Sequence, residues 1–217
     1  MKFTSNITLI LSFHTEMGKC NPQELYEILR NIKPDVIFEE LPGHVFQSIY
    51  SGQKIPHTVE SRAISSYIRY HNVNHVPVDT YEFDMLELFS EYDFIFERSE
   101  LYKKIFEKLI ISVSNFGFSF LNSLDCAEII SELKSVELKT LEEYATSTLV
   151  EKYLKQNFIH NQRETEMLKN IYKYTIKKPY NNAVLICGTD HKNGILEKLT
   201  TFREEMKCDI NWSIYGS

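Results

Sequence analysis

An unbroken apolar run near the start of the chain, from Ile7 to Phe13, limits the fold more than any other feature of the sequence. Only Thr8 and Ser12 interrupt it, and apolar runs of this length are typical of strands buried on both faces of a parallel sheet. A second run of this kind opens with Val36-Ile37-Phe38. The two runs predict two buried strands.

The segment between these runs has the pattern of a helix. Asn21 is suited to cap its start and Pro22 to occupy its first turn. Pro34 ends the helix, because a proline disfavours helical geometry at the residue before it. The apolar residues at helical spacing are Leu25, Ile28, Leu29 and Ile32. Strand, helix and strand within about 35 residues form a βαβ unit with an expected right-handed crossover.

The next part of the chain predicts a loop, a helix and a third strand. After Pro42-Gly43 we expect a loop to about residue 56 and a helix over 59–70. A short strand over 75–79 follows and ends on the acidic Asp79.

A long helical region precedes the last strands. Apolar stripes predict helix over about 82–156, with a break at 115–117 and a second long helix from about 125. The remaining predicted elements are a helix from about 161, a strand at 183–187, a helix at about 193–206 and a strand at 210–215. This order predicts a single α/β domain over 1–217, with a central, mostly parallel sheet flanked by helices and a helical insertion at about 82–156.

Charge and cysteine content argue against several kinds of partner. The net charge is -6, whereas nucleic-acid binding needs a clustered basic face. The four cysteines form no C-x-x-C pair, and reduced thiols fit a cytosolic setting. The run at 7–13 is too short for a secretory signal, and no stretch reaches the roughly 18 apolar residues that span a membrane. We therefore expect a cytoplasmic protein with no nucleic-acid or membrane partner.

Ionisable residues follow three of the predicted strands. His14 ends the first, Glu39 and Glu40 end the second, and Gly188-Thr189-Asp190-His191 follows the strand at 183–187. In open α/β sheets ligands bind beyond the carboxyl ends of the strands, so these side chains are expected to share one crevice. A lone histidine or a glutamate pair at a strand end is usually structural, but two histidines in equivalent positions favour a site.

Two kinds of chemistry suit this set, and Arg163 is a candidate to join it. Two histidines and a carboxylate are a common set of divalent-metal ligands, and histidine also serves acid–base catalysis without metal. Arg163 lies four residues before the apolar Met167, so it is expected to face the crevice and pair with Glu39 or Glu40. The alternative interpretation is that Arg163 is exposed and pairs with Glu164 or Glu166 on its own helix. The other histidines, interpreted as surface or structural, are His44, His57, His71, His75 and His160.

These residues together resemble one superfamily. His14 after an apolar strand, Val-Ile-Phe-Glu39-Glu40, Arg163-Glu-Thr-Glu-Met167 and Gly188-Thr-Asp-His191 are similar, in the same order, to motifs of the TraB/PrgY pheromone-shutdown proteins, TIKI proteases, ChaN haem-binding proteins and erythromycin esterases. The resemblance implies an α/β fold with the site at the strand ends. The helical region at 82–156 has no counterpart in it, and we expect either a lid or a dimer surface there.

The branches of this superfamily imply different activities. The TIKI branch implies a metal-dependent peptidase with two G-x-x-H motifs; Gly188 to His191 fits the motif, whereas Leu11-Ser12-Phe13-His14 has Leu where the family has Gly. The esterase branch implies His and Glu chemistry without metal, and the ChaN branch implies a non-catalytic protein that binds haem or another small ligand.

The leading hypothesis is a hydrolase of amide or ester bonds. In it His14, Glu40 and His191 bind a divalent ion (Mn, Co or Zn) or activate water directly, with Glu39 nearby, and Arg163 stabilises the oxyanion. The expected substrate is a small molecule or a peptide, and the chain is a candidate homodimer.

Overall fold

A parallel sheet forms the centre of the molecule. The computed structural model describes residues 4–80 and 90–216. The strands of this part are β1 (Ser5–Ser12), β2 (Val36–Pro42), β3 (Asn74–Asp79), β4 (Asn182–Gly188) and β5 (Ile210–Ile214). They form one sheet in the order β3-β2-β4-β1-β5, in which all neighbours run parallel. Helices pack on both faces, so the predicted α/β class with a central parallel sheet is confirmed.

The helices of the described residues are α1 (Pro22–Ile32), α2 (Gly43–Tyr50), α3 (Val59–Ile68), α4 (Ser90–Arg98), α5 (Glu100–Leu121), α6 (Leu124–Tyr144), α7 (Ser147–Lys177) and α8 (Lys192–Met206). A 3-10 turn over Thr189–His191 joins β4 to α8. Within the described ranges, no helix is both long and apolar enough to cross a membrane. Residues 82–89 of the predicted helical region lie outside these ranges.

The βαβ unit forms as its sequence predicts. The Asn21 side chain caps α1 by accepting a hydrogen bond of 2.9 Å from the backbone N–H of Glu24, and Pro22 occupies the first turn. β2, however, lies two places from β1, because β4 pairs with both strands. β4 therefore places its own carboxyl end between those of β1 and β2.

The segment after β2 is helical, where the sequence predicted a loop. Pro42 and Gly43 begin α2 instead of ending regular structure. Phe46 and Tyr50, one helical turn apart, both pack edge-on against the ring of His75 in β3. This tertiary contact stabilises a short helix that the turn residues Pro42 and Gly43 do not predict.

The predicted boundary between 156 and 161 is wrong. The second long helix ends at Tyr144, and α7 then runs without a break from Ser147 to Lys177. Thr146 caps its start, with its hydroxyl accepting from the backbone N–H of Leu149 at 3.4 Å. One helix therefore joins the helical region to the sheet, because its second half packs on the sheet through Met167 and Leu168.

The predicted break at 115–117 appears as a kink in α5. Gly117 has a φ of 54° there, a left-handed conformation that glycine adopts without strain. A Cβ on Gly117 would lie 2.6 Å from the carbonyl oxygen of Lys19, so the chain also approaches too closely for any other residue.

The helical region packs against one side of the strand ends. Asn122, just after α5, accepts from the backbone N–H of Leu11 at 2.9 Å and donates to its carbonyl oxygen at 3.2 Å. Cys126 in α6 places its sulfur 3.6 Å from the hydroxyl of Thr189. The helical region therefore lies beside the carboxyl ends of β1 and β4.

Strand alternation decides which β2 side chains face which layer. Ile37 packs in the apolar layer built with α1, α3, α5 and α6, and Phe38 packs in the layer built with α7 and α8. Successive side chains of a strand point to opposite faces. The Glu39 side chain therefore points to the same face of the sheet as Ile37. The Glu40 side chain points to the same face as Phe38, toward α7 and α8.

Candidate functional site

The Glu40 carboxylate lies at the centre of a group of charged side chains. Its Oε1 accepts a hydrogen bond from Arg163 Nη2 at 2.5 Å and lies 3.0 Å from His191 Nε2. Its Oε2 lies 3.9 Å from His14 Nε2. Four of the five predicted site residues thus meet at one place, although they come from the segment after β1, from β2, from α7 and from the 3-10 turn after β4.

Burial and these neighbours act in opposite directions on Glu40. Burial raises the pKa of the carboxyl group, but the charge and hydrogen bond of His191 and the charges of His14 and Arg163 outweigh it. The pKa of Glu40 is therefore held well below its ordinary value, and the group is a carboxylate at neutral pH.

Glu39 does not join this group. Its Oε2 accepts from the Tyr50 hydroxyl at 2.9 Å and lies 2.8 Å from His75 Nε2, on the side of β2 that carries Ile37. The expectation that Glu39 shares the crevice is wrong, because alternation along β2 sends it to the opposite face.

Arg163 points inward to two carboxylates and not into solvent, as its spacing from Met167 predicts. Nη2 donates to Asp79 Oδ2 at 2.7 Å and Nε donates to the same oxygen at 3.1 Å. Together with the bond to Glu40, these contacts make one guanidinium the bridge between two carboxylates. Asp79 is therefore part of the site, and it could have been predicted from the sequence, because it is the acidic residue that ends β3.

His14 is held in an uncommon backbone conformation. Its φ is 55°, in the left-handed region that residues other than glycine seldom adopt. Its side chain is 48% exposed, while Nδ1 lies 3.0 Å from Oε1 of the buried Glu60 in α3. Burial lowers the pKa of His14, whereas the charges of Glu60 and Glu40 raise it, and the net result is a pKa of about 9.

The absence of a side chain at Gly188 makes room for this arrangement. Its backbone N–H donates to Glu40 Oε2 at 2.7 Å. A Cβ at this position would lie 2.8 Å from His14 Nε2 and 3.5 Å from Glu40 Oε2. The φ of Gly188 is -60°, so the glycine is needed for close approach and not for an unusual backbone angle.

His191 connects Glu40 to a second group of side chains. Its Nδ1 lies 3.2 Å from Oε1 of Glu164, and its ring stacks on His160 with 4.1 Å between centroids. Glu164 is fixed in turn by Lys198, whose Nζ donates to Oε2 at 2.7 Å. His160, interpreted from sequence as surface or structural, therefore lies beside the site.

The second group can hold a metal ion. The ligand atoms of His160, Glu164 and His191 all lie within 4.8 Å of one another. The predicted metal set of His14, Glu40 and His191 shares only His191 with this group. The two imidazole planes are within 9° of parallel, so one ring has to turn before both nitrogens can point at one ion. His160 is the more exposed of the two, at 36% against 2% for His191.

Comparison with protein-family models, curated proteins and solved structures found no match for this chain.

Replacing Gly188 by Ala should displace His14 without unfolding the protein. The new Cβ would overlap Nε2 of the ring, whereas the backbone angle suits alanine. We expect changed NMR signals from the His14 ring and a melting temperature within a few degrees of the wild type. Gly43→Ala is the matched control, because a Cβ there meets nothing within 4 Å. His14 signals that stay unchanged in Gly188→Ala would contradict the packing described here.

Proposed function

We propose that this protein is a hydrolase of ester or amide bonds in which His14 transfers the proton. The observation that carries the proposal is the setting of His14: a half-exposed ring with one nitrogen 3.0 Å from a buried carboxylate and the other facing Glu40. A histidine whose one nitrogen is held by a carboxylate while the other faces a crevice is suited to general acid–base catalysis.

The other three residues of the group, Glu40, Arg163 and His191, set the charge beside the His14 ring. Arg163 and His191 keep Glu40 ionised, so a negative charge stays next to the His14 ring and stabilises its protonated form during proton transfer. Arg163 already donates to both Glu40 and Asp79. In this proposal its role is therefore to hold two carboxylates, and oxyanion stabilisation would require it to give up one of them.

The resemblance of the motifs supports hydrolysis as the reaction. His14, Glu40, Arg163 and His191 belong to the segments that resemble the TraB, TIKI, ChaN and erythromycin esterase superfamily. Their arrangement agrees best with the branch thought to use His and Glu without metal. The proposed substrate is a small molecule or peptide whose ester or amide carbonyl reaches His14 from the open side of the crevice.

The proposal predicts that His14→Ala abolishes hydrolysis. General acid–base catalysis contributes about 100- to 10,000-fold, so kcat/KM should fall by that factor on any substrate found in a panel of esters and peptides. His57→Ala, at an exposed position, should keep the wild-type rate. Because the pKa of His14 is about 9, most rings carry the proton at neutral pH, and the fraction that can act as a base grows as the pH approaches that value. The rate should therefore rise with pH and level off above about 9.

A rate that is the same from about pH 6 to about pH 10, or wild-type activity in His14→Ala, would contradict the role given to His14.

Metal-assisted hydrolysis is a second candidate, favoured by the compact group of His160, Glu164 and His191. A mixed set of imidazole and carboxylate ligands suits Zn²⁺, Mn²⁺ or Co²⁺. A bound ion of this kind supplies a Lewis acid that polarises a carbonyl or lowers the pKa of a water. The protein supplies orientation, since Lys198 fixes Glu164 and Glu40 holds the second nitrogen of His191.

For this candidate we expect about one equivalent of metal in protein purified without chelator, or after incubation with each of the three ions. His160→Ala should lower the bound metal at least about tenfold, whereas His57→Ala should leave it unchanged. Elemental analysis measures both. Wild-type protein that takes up none of the three ions would remove this candidate and leave the metal-free proposal standing.

A further inference from the structure

We propose that Glu60, in the first turn of α3, is a positioning residue that holds the His14 ring for proton transfer. The sequence pattern gives it no role, because it lies inside a helix far from every strand end. The inference rests on the proposed function of His14 and adds a second residue to the same site.

Two consecutive residues of α3 hold His14. The backbone N–H of Val59 donates to the carbonyl oxygen of His14 at 2.9 Å. Glu60 places Oε1 at 3.0 Å from Nδ1 of the ring. The main chain and the side chain of His14 are therefore held by the same turn of helix. A histidine with a φ of 55° needs such contacts, because the conformation persists only where the surroundings enforce it.

The burial of Glu60 is costly unless it serves this contact. The residue is 4% exposed, and burial raises its pKa, yet the pKa is held below the ordinary value, because the charge of His14 and hydrogen bonds from His14 and Ser12 outweigh that burial. A buried carboxylate is tolerated only where a close partner compensates its charge. The charge partner of Glu60 is His14, so the position is explained by what it does to that ring.

The contact determines which nitrogen of His14 faces Glu40. With Nδ1 against Glu60, Nε2 is left beside Gly188 and 3.9 Å from Glu40 Oε2. A carboxylate on one nitrogen keeps the ring in a single orientation and stabilises its charged form. Glu60 thus acts through His14 and touches no substrate.

Glu60→Gln tests the inference, because it keeps the shape and removes the charge. We expect kcat to fall roughly 10- to 1,000-fold and KM to change by less than about threefold. The melting temperature should fall, because the Glu60 carboxylate and the protonated His14 ring stabilise each other in the folded protein. Glu60→Asp keeps the charge at a shorter reach and should recover part of the lost kcat. Glu97→Gln, at an exposed position, is the matched control and should behave as the wild type.

Two readouts separate failure of this inference from failure of the proposed function. If His14→Ala is inactive while Glu60→Gln keeps the wild-type kcat, the proposed role of His14 is supported and the role of Glu60 is overturned. If the wild type hydrolyses nothing, the ring orientation is measured by NMR, through the nuclear Overhauser effect between the His14 ring and the Gly188 α-protons. Its loss in Glu60→Gln supports positioning, and its persistence at wild-type strength overturns it.

Discussion

The buried carboxylate of Glu40 is the interaction on which the rest of the site depends. Its side chain is 7% exposed, and a charge so far from water is tolerated only with close partners. The partners come from three other elements: Arg163 in α7, His191 after β4 and the backbone N–H of Gly188. Since the loss of any one leaves the charge under-compensated, Glu40 fixes how these elements meet at the carboxyl end of the sheet.

The residues at the strand ends could be predicted because the topology of a parallel sheet brings them together. His14, Glu40 and His191 each lie at the end of an apolar run typical of a buried strand, and Arg163 follows from its spacing to Met167. The sequence does not predict which of Glu39 and Glu40 joins the site. Alternation places the two side chains on opposite faces of the sheet, but it does not indicate which face carries the site.

The residues that sequence reasoning missed come mostly from helices. Glu60 reaches His14 only through the packing of α3, and no local pattern reports that contact. His160 and Glu164 gave a weak signal, because residues four apart share one face of a helix. The sequence pattern predicts two helices where the structure has the single helix α7. The first part of α7 packs through Tyr153 in one apolar layer, and its second part packs through Met167 in the other. A change of packing partner along one helix looks like an interruption of its apolar stripe.

A double-mutant cycle on Glu40 and Arg163 tests the central claim most directly. The free energy of unfolding is measured by urea titration for Glu40→Gln, Arg163→Met, the double variant and the wild type. Removal of one partner from a buried ion pair costs about 3–5 kcal/mol, so each single variant should be strongly destabilised. If Glu40 organises the site, the double variant should be more stable than the sum of the single changes implies, by roughly 1–3 kcal/mol. Additive changes, or single variants as stable as the wild type, would contradict the account.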